Sequence, residues 1–207
     1  MKKLLPFFLS LLLPLLALSA PAAAFSPLQI GLGWPRSDLQ LVSSNTPVIG
    51  LRLNLIGSYN GTAAGLDLGL LSSADTFSGI RLNAIAQSDT VNGISLGLFD
   101  GADTLNGLQL APIAIALDTR GVQLGLFNWC NDLHGVQIGF VNNGTYLGSH
   151  SHVHGVQIGF LNVVQFLCGV QIGVANVTQS LYGVQIGVAN VVNESDFPCL
   201  PLLRASF

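Results

Sequence analysis

The chain has 207 residues, half of them hydrophobic and only 8% charged, with a formal net charge of −3. It carries seven basic residues and no basic patch, so nucleic acid and anionic lipid headgroups are poor candidates as partners. Few side chains are left for acid–base chemistry, which argues against an enzyme.

The first 24 residues have the layout of a secretory signal peptide. Lys2 and Lys3 give a basic start, residues 4–18 are almost wholly apolar, and three alanines precede Phe25. The apolar stretch is shorter than the ~20 residues of a comfortable membrane span. We therefore predict a signal peptide at 1–24, cleaved before Phe25, and an exported protein at the cell surface, in the outer membrane or in the periplasm.

From residue 50 onward the chain follows a repeat of 14 residues. A degenerate further copy begins at Pro27, where PLQIGLGW echoes the later phrase GVQLGLFN. The predicted organisation is an N-terminal cap at 25–49 that includes this copy, repeats at 50–193, and a C-terminal cap or tail at 194–207. The glycines that open the ten regular copies are Gly50, Gly65, Gly79, Gly93, Gly107, Gly121, Gly135, Gly155, Gly169 and Gly183.

Apolar and polar residues alternate within each copy, counted from the opening glycine as position 1. Positions 2 and 4 are always aliphatic and position 6 is apolar apart from Pro112, whereas position 3 is always polar and becomes glutamine from Gln109 onward. Position 5 is usually glycine, and position 8 is asparagine in the last five copies. A period of two is typical of a β-strand with one buried face, so we expect positions 2, 4 and 6 to fill the core.

The repeat predicts an all-β fold, a β-solenoid of about ten 14-residue coils. Stacked coils would bring identical positions together, so the glutamine and asparagine columns would form amide ladders. The alternatives are an antiparallel meander and a transmembrane β-barrel, in which like positions are not neighbours. A transmembrane barrel needs strands of about 9–11 residues and alternately long and short loops, whereas the strand phrase here has about eight residues and the links are evenly short.

The phrases GVQLGLFN, GVQIGFVN, GVQIGFLN and GVQIGVAN resemble the G-[VL]-Q-[IL]-G-x-x-N repeats of a family of bacterial surface repeat-containing proteins related to leptospiral surface repeat lipoproteins. The stretch TPVIGLRLNLIGSYNGTAAGLDLGL at 46–70 resembles the opening of the same family. The resemblance implies an exported or surface-located protein without catalytic residues to carry over. The chain lacks the lipidation cysteine of the lipoprotein members, so the implied membrane tether does not transfer with it.

One interval, between Gly135 and Gly155, has six extra residues and is rich in histidine. In a solenoid, His134 and His154 would both stand at position 14 of adjacent coils, about 5 Å apart, with Cys168 next in line. His150 and His152 belong to the same loop, at 149–154, and alternate with His154 along the chain. These five side chains are the candidate ligands for zinc or copper, although their spacing matches no standard metal motif, and a solvated polar loop is the alternative.

The sequence therefore predicts an exported bacterial surface or periplasmic repeat protein with a structural or binding role and no catalytic or cofactor-binding residues. Its partner would be an unidentified protein or another cell-surface component. The alternative function is that of an outer-membrane β-barrel protein, which alone would bring membrane association. Metal binding through the histidine loop is a further, minor alternative.

Overall fold

A computed structural model of the chain describes residues 25–33, 39–144 and 150–207, and the predicted signal peptide at 1–24 lies outside them. The elements of the described residues are all strands. They are β1 (Ser26–Gly31), β2 (Val48–Leu96), β3 (Phe99–Leu110), β4 (Ile113–Leu124), β5 (Phe127–Ile138), β6 (Val141–Asn143), β7 (His152–Ile158), β8 (Leu161–Ile172), β9 (Ala175–Val192) and β10 (Cys199–Ser206).

Consecutive repeats stack in parallel and in register, which confirms the predicted β-solenoid. Each opening glycine from Gly93 to Gly169 pairs with the glycine of the next repeat, and the neighbouring positions pair in step. The extra residues before Gly155 leave this register unchanged, because Gly135 still pairs with Gly155. Both alternative architectures require antiparallel neighbours, so the parallel register decides for the solenoid.

The stack continues toward the N-terminus beyond Gly93. β2 is 49 residues long and winds through the earlier repeats. Each of its opening glycines lies against the carbonyl oxygen of the preceding one, back to Gly50, which lies against Pro27. β1 pairs in parallel with the start of β2, with Gln29 opposite Arg52, so the Pro27 copy occupies the place of a first coil strand.

The last strand, β10, pairs antiparallel with β9 along the final coil. At one end of the pairing Cys199 lies opposite Val191, and at the other end Ser206 lies opposite Gly183. The backbone edge of the last coil is therefore hydrogen-bonded within the chain. A free edge of this kind is a template for pairing with other chains, and β10 covers it over 183–191 and becomes the terminal strand of the sheet.

The structure reverses the expected sides of the strand. Position 3 and position 8 point inward, since Gln157 and Asn162 are 0% exposed, whereas Ile158 at position 4 and Phe160 at position 6 are 36% and 51% exposed. The prediction that positions 2, 4 and 6 fill the core is therefore wrong. Alternation fixes which residues share a face, but it does not say which face is buried.

The apolar part of the core comes from the second half of each repeat. Leucine or valine stands at position 13, as at Leu133, Val153 and Leu167, and small or aliphatic residues at position 10, as at Val164. In the earlier repeats Phe77, Val91 and Leu105 take the same place. One wall of the coil is thus apolar inside, and the amide columns occupy the rest of the interior.

Both amide columns form the predicted ladders. Each glutamine donates from Nε2 to Oε1 of the glutamine one coil earlier, from Gln123 to Gln185, at 2.7–2.8 Å. The asparagines run the opposite way: each donates from Nδ2 to Oδ1 of the next one, from Asn128 to Asn190, at 2.8 Å. Within the described residues, each ladder ends in one unpaired oxygen, Gln185 Oε1 and Asn128 Oδ1, as these directions require.

Ion pairs replace amides in the interior of the early coils. Arg52 at position 3 pairs with Asp67 of the next coil, and Arg81 Nη2 donates to Asp100 Oδ1 at 2.6 Å, with all four side chains buried. Burial lowers the pKa of Arg81 and raises the pKa of Asp100, and the pairing opposes both shifts. Gln109 Nε2 donates to Asp100 Oδ1 at 3.0 Å, so the charged segment continues into the glutamine ladder.

The opening glycine of each coil is a corner that no other residue can form without strain. Gly155 has φ +153°, and a Cβ built on it would lie 1.9 Å from the carbonyl oxygen of Gly135. Such a distance forces the two coils apart, and the φ value is one that L-residues rarely adopt. The 14-residue spacing of these glycines therefore equals the number of residues in one coil.

Replacing one of these corners should loosen the stack. We expect Gly155→Ala to lower the free energy of unfolding by about 3–5 kcal/mol, because the methyl group collides with Gly135 and the backbone is strained. Gly101→Ala is the matched control, since its Cβ would meet no atom closer than 3.9 Å. Denaturant unfolding followed by circular dichroism measures both, and equal losses in the two variants would contradict the corner assignment.

Candidate functional site

The solenoid carries a continuous exposed row of apolar side chains, which we call the apolar strip. In the last five coils it consists of position 4 and position 6 on either side of a glycine at position 5. Together they line an open groove of about 810 Å³ that Leu202 of β10 also borders. The strip residues of these coils are Leu124, Gly125, Leu126, Ile138, Gly139, Phe140, Ile158, Gly159, Phe160, Ile172, Gly173, Val174, Ile186, Gly187 and Val188.

Glycine at position 5 is required by the interior of the stack. A Cβ on Gly159 would lie 2.6 Å from the carbonyl oxygen of Gly139 and 2.8 Å from Nδ2 of Asn142, so close stacking of the coils leaves no room for a side chain there. In earlier coils this position carries Asn54, Asn83 and Ala111, whose side chains are buried, so position 5 faces the interior. The side chains at positions 4 and 6 then rise on either side, and they leave the backbone open to a partner.

The ridge at position 6 is ordered by contacts between its own members. The rings of Phe140 and Phe160 stack with centroids 4.9 Å apart and planes inclined by 10°. Val188, at the end of the row, is 68% exposed. An apolar surface of this length is unusual on a monomer and is typical of an interaction site.

The strip extends over the earlier coils as well. Leu70 and Leu98 stand at position 6 of their repeats and are 54% and 64% exposed. Leu82 and Leu110 at position 4 are also exposed. No charged residue occurs at position 2, 4, 5, 6 or 7 in any of the ten repeats.

Outward-facing charges collect half a coil away from the strip, at positions 11–14. Position 11 or 12 is an aspartate in five successive repeats, and Arg120 at position 14 is exposed next to them. The cross-section of the rod therefore has an apolar side and an acidic side. The five aspartates, which we call the acidic edge, are Asp75, Asp89, Asp103, Asp118 and Asp132.

The predicted metal ligands lie on this second side. His134 and His154 are stacked neighbours, with ring centroids 5.0 Å apart and planes inclined by 4°, which confirms their predicted adjacency. Cys168 is the register partner of His154 and is exposed. His152 Nδ1 lies 3.1 Å from Oδ1 of Asp132.

The other rings of this side contact Phe166 instead of one another. The rings of His152 and His150 lie 5.0 Å and 6.4 Å from that of Phe166, both nearly parallel to it. Ring nitrogens bind metals in the plane of the ring, so parallel stacked rings do not aim at one ion. Within the described residues, no three His, Cys, Asp or Glu side chains form a group that could hold a metal ion.

The apolar strip is the feature that the sequence interpretation missed. It assigned positions 2, 4 and 6 to the core and so turned the strip inward. A second apolar pattern at positions 10 and 13 was the signal that could have found it, since a coil this small has room for only one apolar interior. The identity of position 3 pointed the same way, because an exposed polar position does not need to be glutamine in six successive copies.

No protein-family model, no curated protein and no solved structure matches this chain. Within the part of the chain that the structure describes, no helix has the length and apolarity of a membrane span. The candidate site is therefore defined by its own geometry: an exposed apolar strip on a stack of parallel, in-register coils.

Proposed function

We propose that the protein is an exported, non-catalytic bacterial repeat protein of the cell surface or periplasm, whose solenoid is a rigid binding surface. The apolar strip is the observation that carries the proposal. It presents side chains at a fixed spacing of about 4.8 Å, set by the distance between coils. A partner that matches this spacing makes the same contact at each coil, so weak contacts add up along the rod.

A structural or binding role also accounts for where the charged groups are. The strongest polar clusters, around Arg52 with Asp67 and Arg81 with Asp100, are sealed inside the coils and reach no substrate. In the interior, each of these charged groups is paired with one of opposite charge, just as the amides of the later coils are hydrogen-bonded to one another. The resemblance of the Gln repeats to bacterial surface repeat proteins supports the same role.

Site-specific photo-cross-linking tests the binding surface. A photoreactive phenylalanine analogue at Phe160 would lie in the strip, and the same analogue at Tyr182 provides the control, since Tyr182 is 61% exposed at position 14, outside the strip. We expect illumination of cells producing the protein to give adducts at 160 about tenfold more efficiently than at 182. Equal yields at the two positions would contradict the strip as the binding surface.

Export is tested by the mass of the protein from the same cells. The lysine pair, the apolar stretch at 4–18 and the three alanines before Phe25 predict a mature chain that begins at Phe25. Intact mass spectrometry of the fractionated protein should find this chain outside the cytoplasm. A chain that retains residues 1–24 and stays in the cytoplasm would rule out export.

A further inference from the structure

We propose that the partner bound by the apolar strip is a second copy of this chain, packed face to face across a twofold axis. The proposal rests on the function proposed above and names the occupant of the same surface. It makes the protein a dimer of two solenoids joined through their apolar sides, with the acidic edges turned outward.

The shape of the strip is self-complementary. In the last five coils, a ridge of large side chains at position 6 runs beside a groove lined by the glycine backbone of position 5. On a twofold axis, the ridge of each copy meets the groove of the other, so Phe160 of one copy lies over the backbone of a glycine such as Gly159 of its partner. An isologous contact requires that one surface carry both the ridge and the groove that receives it, and the strip carries both.

The spacing of the coils also favours a second copy. Ridge residues recur once per coil, at about 4.8 Å, so a partner fits along the whole strip only if it has the same period. Another copy of this chain has that period by construction. Two sheets with apolar facing sides pack about 10 Å apart in the same manner in β-sandwiches.

The area of the strip reaches that of a specific interface. The position 6 row runs from Leu70 to Val188, and the strip is roughly 40 Å long and 15 Å wide at the spacings of stacked strands. Covering it would bury roughly 600 Å² on each copy and about 1,200 Å² in total, the lower end of the range for specific interfaces. The apolar strip is therefore large enough for one partner of the same length.

The distribution of charge favours a protein partner over a lipid surface. Interfacial membrane binding usually combines an apolar face with lysine and arginine at its rim. Among the described residues, Arg52, Arg81 and Arg204 are buried, and Arg120 stands with the acidic edge. The strip has no cation to meet a headgroup, and a second copy requires none.

Sedimentation velocity of the purified full chain tests the proposal. We expect a dimer in the wild type, and we expect Phe160→Glu to weaken dimerisation at least about 100-fold, because two carboxylates would be buried near the axis without partners. Tyr182→Glu is the matched control: an exposed aromatic residue outside the strip receives the same charge, and dimerisation should be unchanged. Circular dichroism establishes that each variant retains its β-structure.

A wild-type chain that remains monomeric up to about 100 μM would overturn the second copy, since interfaces of this size bind in the micromolar range or tighter. If Phe160→Glu does not fold, the photoreactive analogue at 160 in purified protein decides instead. Adducts of twice the chain mass, mapped to the strip, support the dimer. A monomer that floats with uncharged phosphatidylcholine vesicles through Phe160 overturns the second copy and leaves the binding surface intact. The absence of adducts in purified protein overturns the second copy alone, and the comparison of positions 160 and 182 in cells decides the binding surface.

Discussion

The structure depends on one interaction, the hydrogen bond between an interior amide and its own copy one coil away. A buried glutamine or asparagine costs free energy unless its donors and acceptors are paired. Parallel, in-register stacking supplies the missing partner at each level, as the chain of bonds from Gln109 to Gln185 demonstrates. The glycine corners make this possible because they let successive backbones approach closely enough for the amides to meet.

The apolar strip is a consequence of that interior. With the amides inside, strand alternation turns positions 2, 4 and 6 outward, and the chain turns after position 6, where Leu126 and Phe127 are both exposed and Asn128 is buried. An interior of amides therefore creates an exterior of isoleucine, valine and phenylalanine. In the early coils, ion pairs take the place of the amides. Arg81 and Asp100 form an ion pair in the interior, while Leu82 and Leu98 are exposed.

Much of this could be predicted from the sequence. The interval between glycines gave the coil, and column identity predicted the ladders and the adjacency of His134 and His154, because in-register stacking makes equal positions neighbours. Which face of the strand is buried could not be predicted from alternation, because the alternating pattern is the same whichever face points inward. Whether the histidines converge on an ion could not be predicted either, because it depends on ring orientation: the two rings stack in parallel, and His152 instead lies beside Asp132.

Hydrogen exchange of side-chain amides, measured by NMR on the folded chain, tests the central claim most directly. The Nε2 protons of Gln137, Gln157 and Gln171 are buried and bonded along the ladder, so we expect them to exchange at least about 100-fold more slowly than a free amide. Gln179, whose Nε2 donates to Glu194 at the surface, provides the reference within the same molecule. If the ladder glutamines exchanged as fast as Gln179, the amides would face solvent, and neither the interior ladders nor the apolar strip would stand.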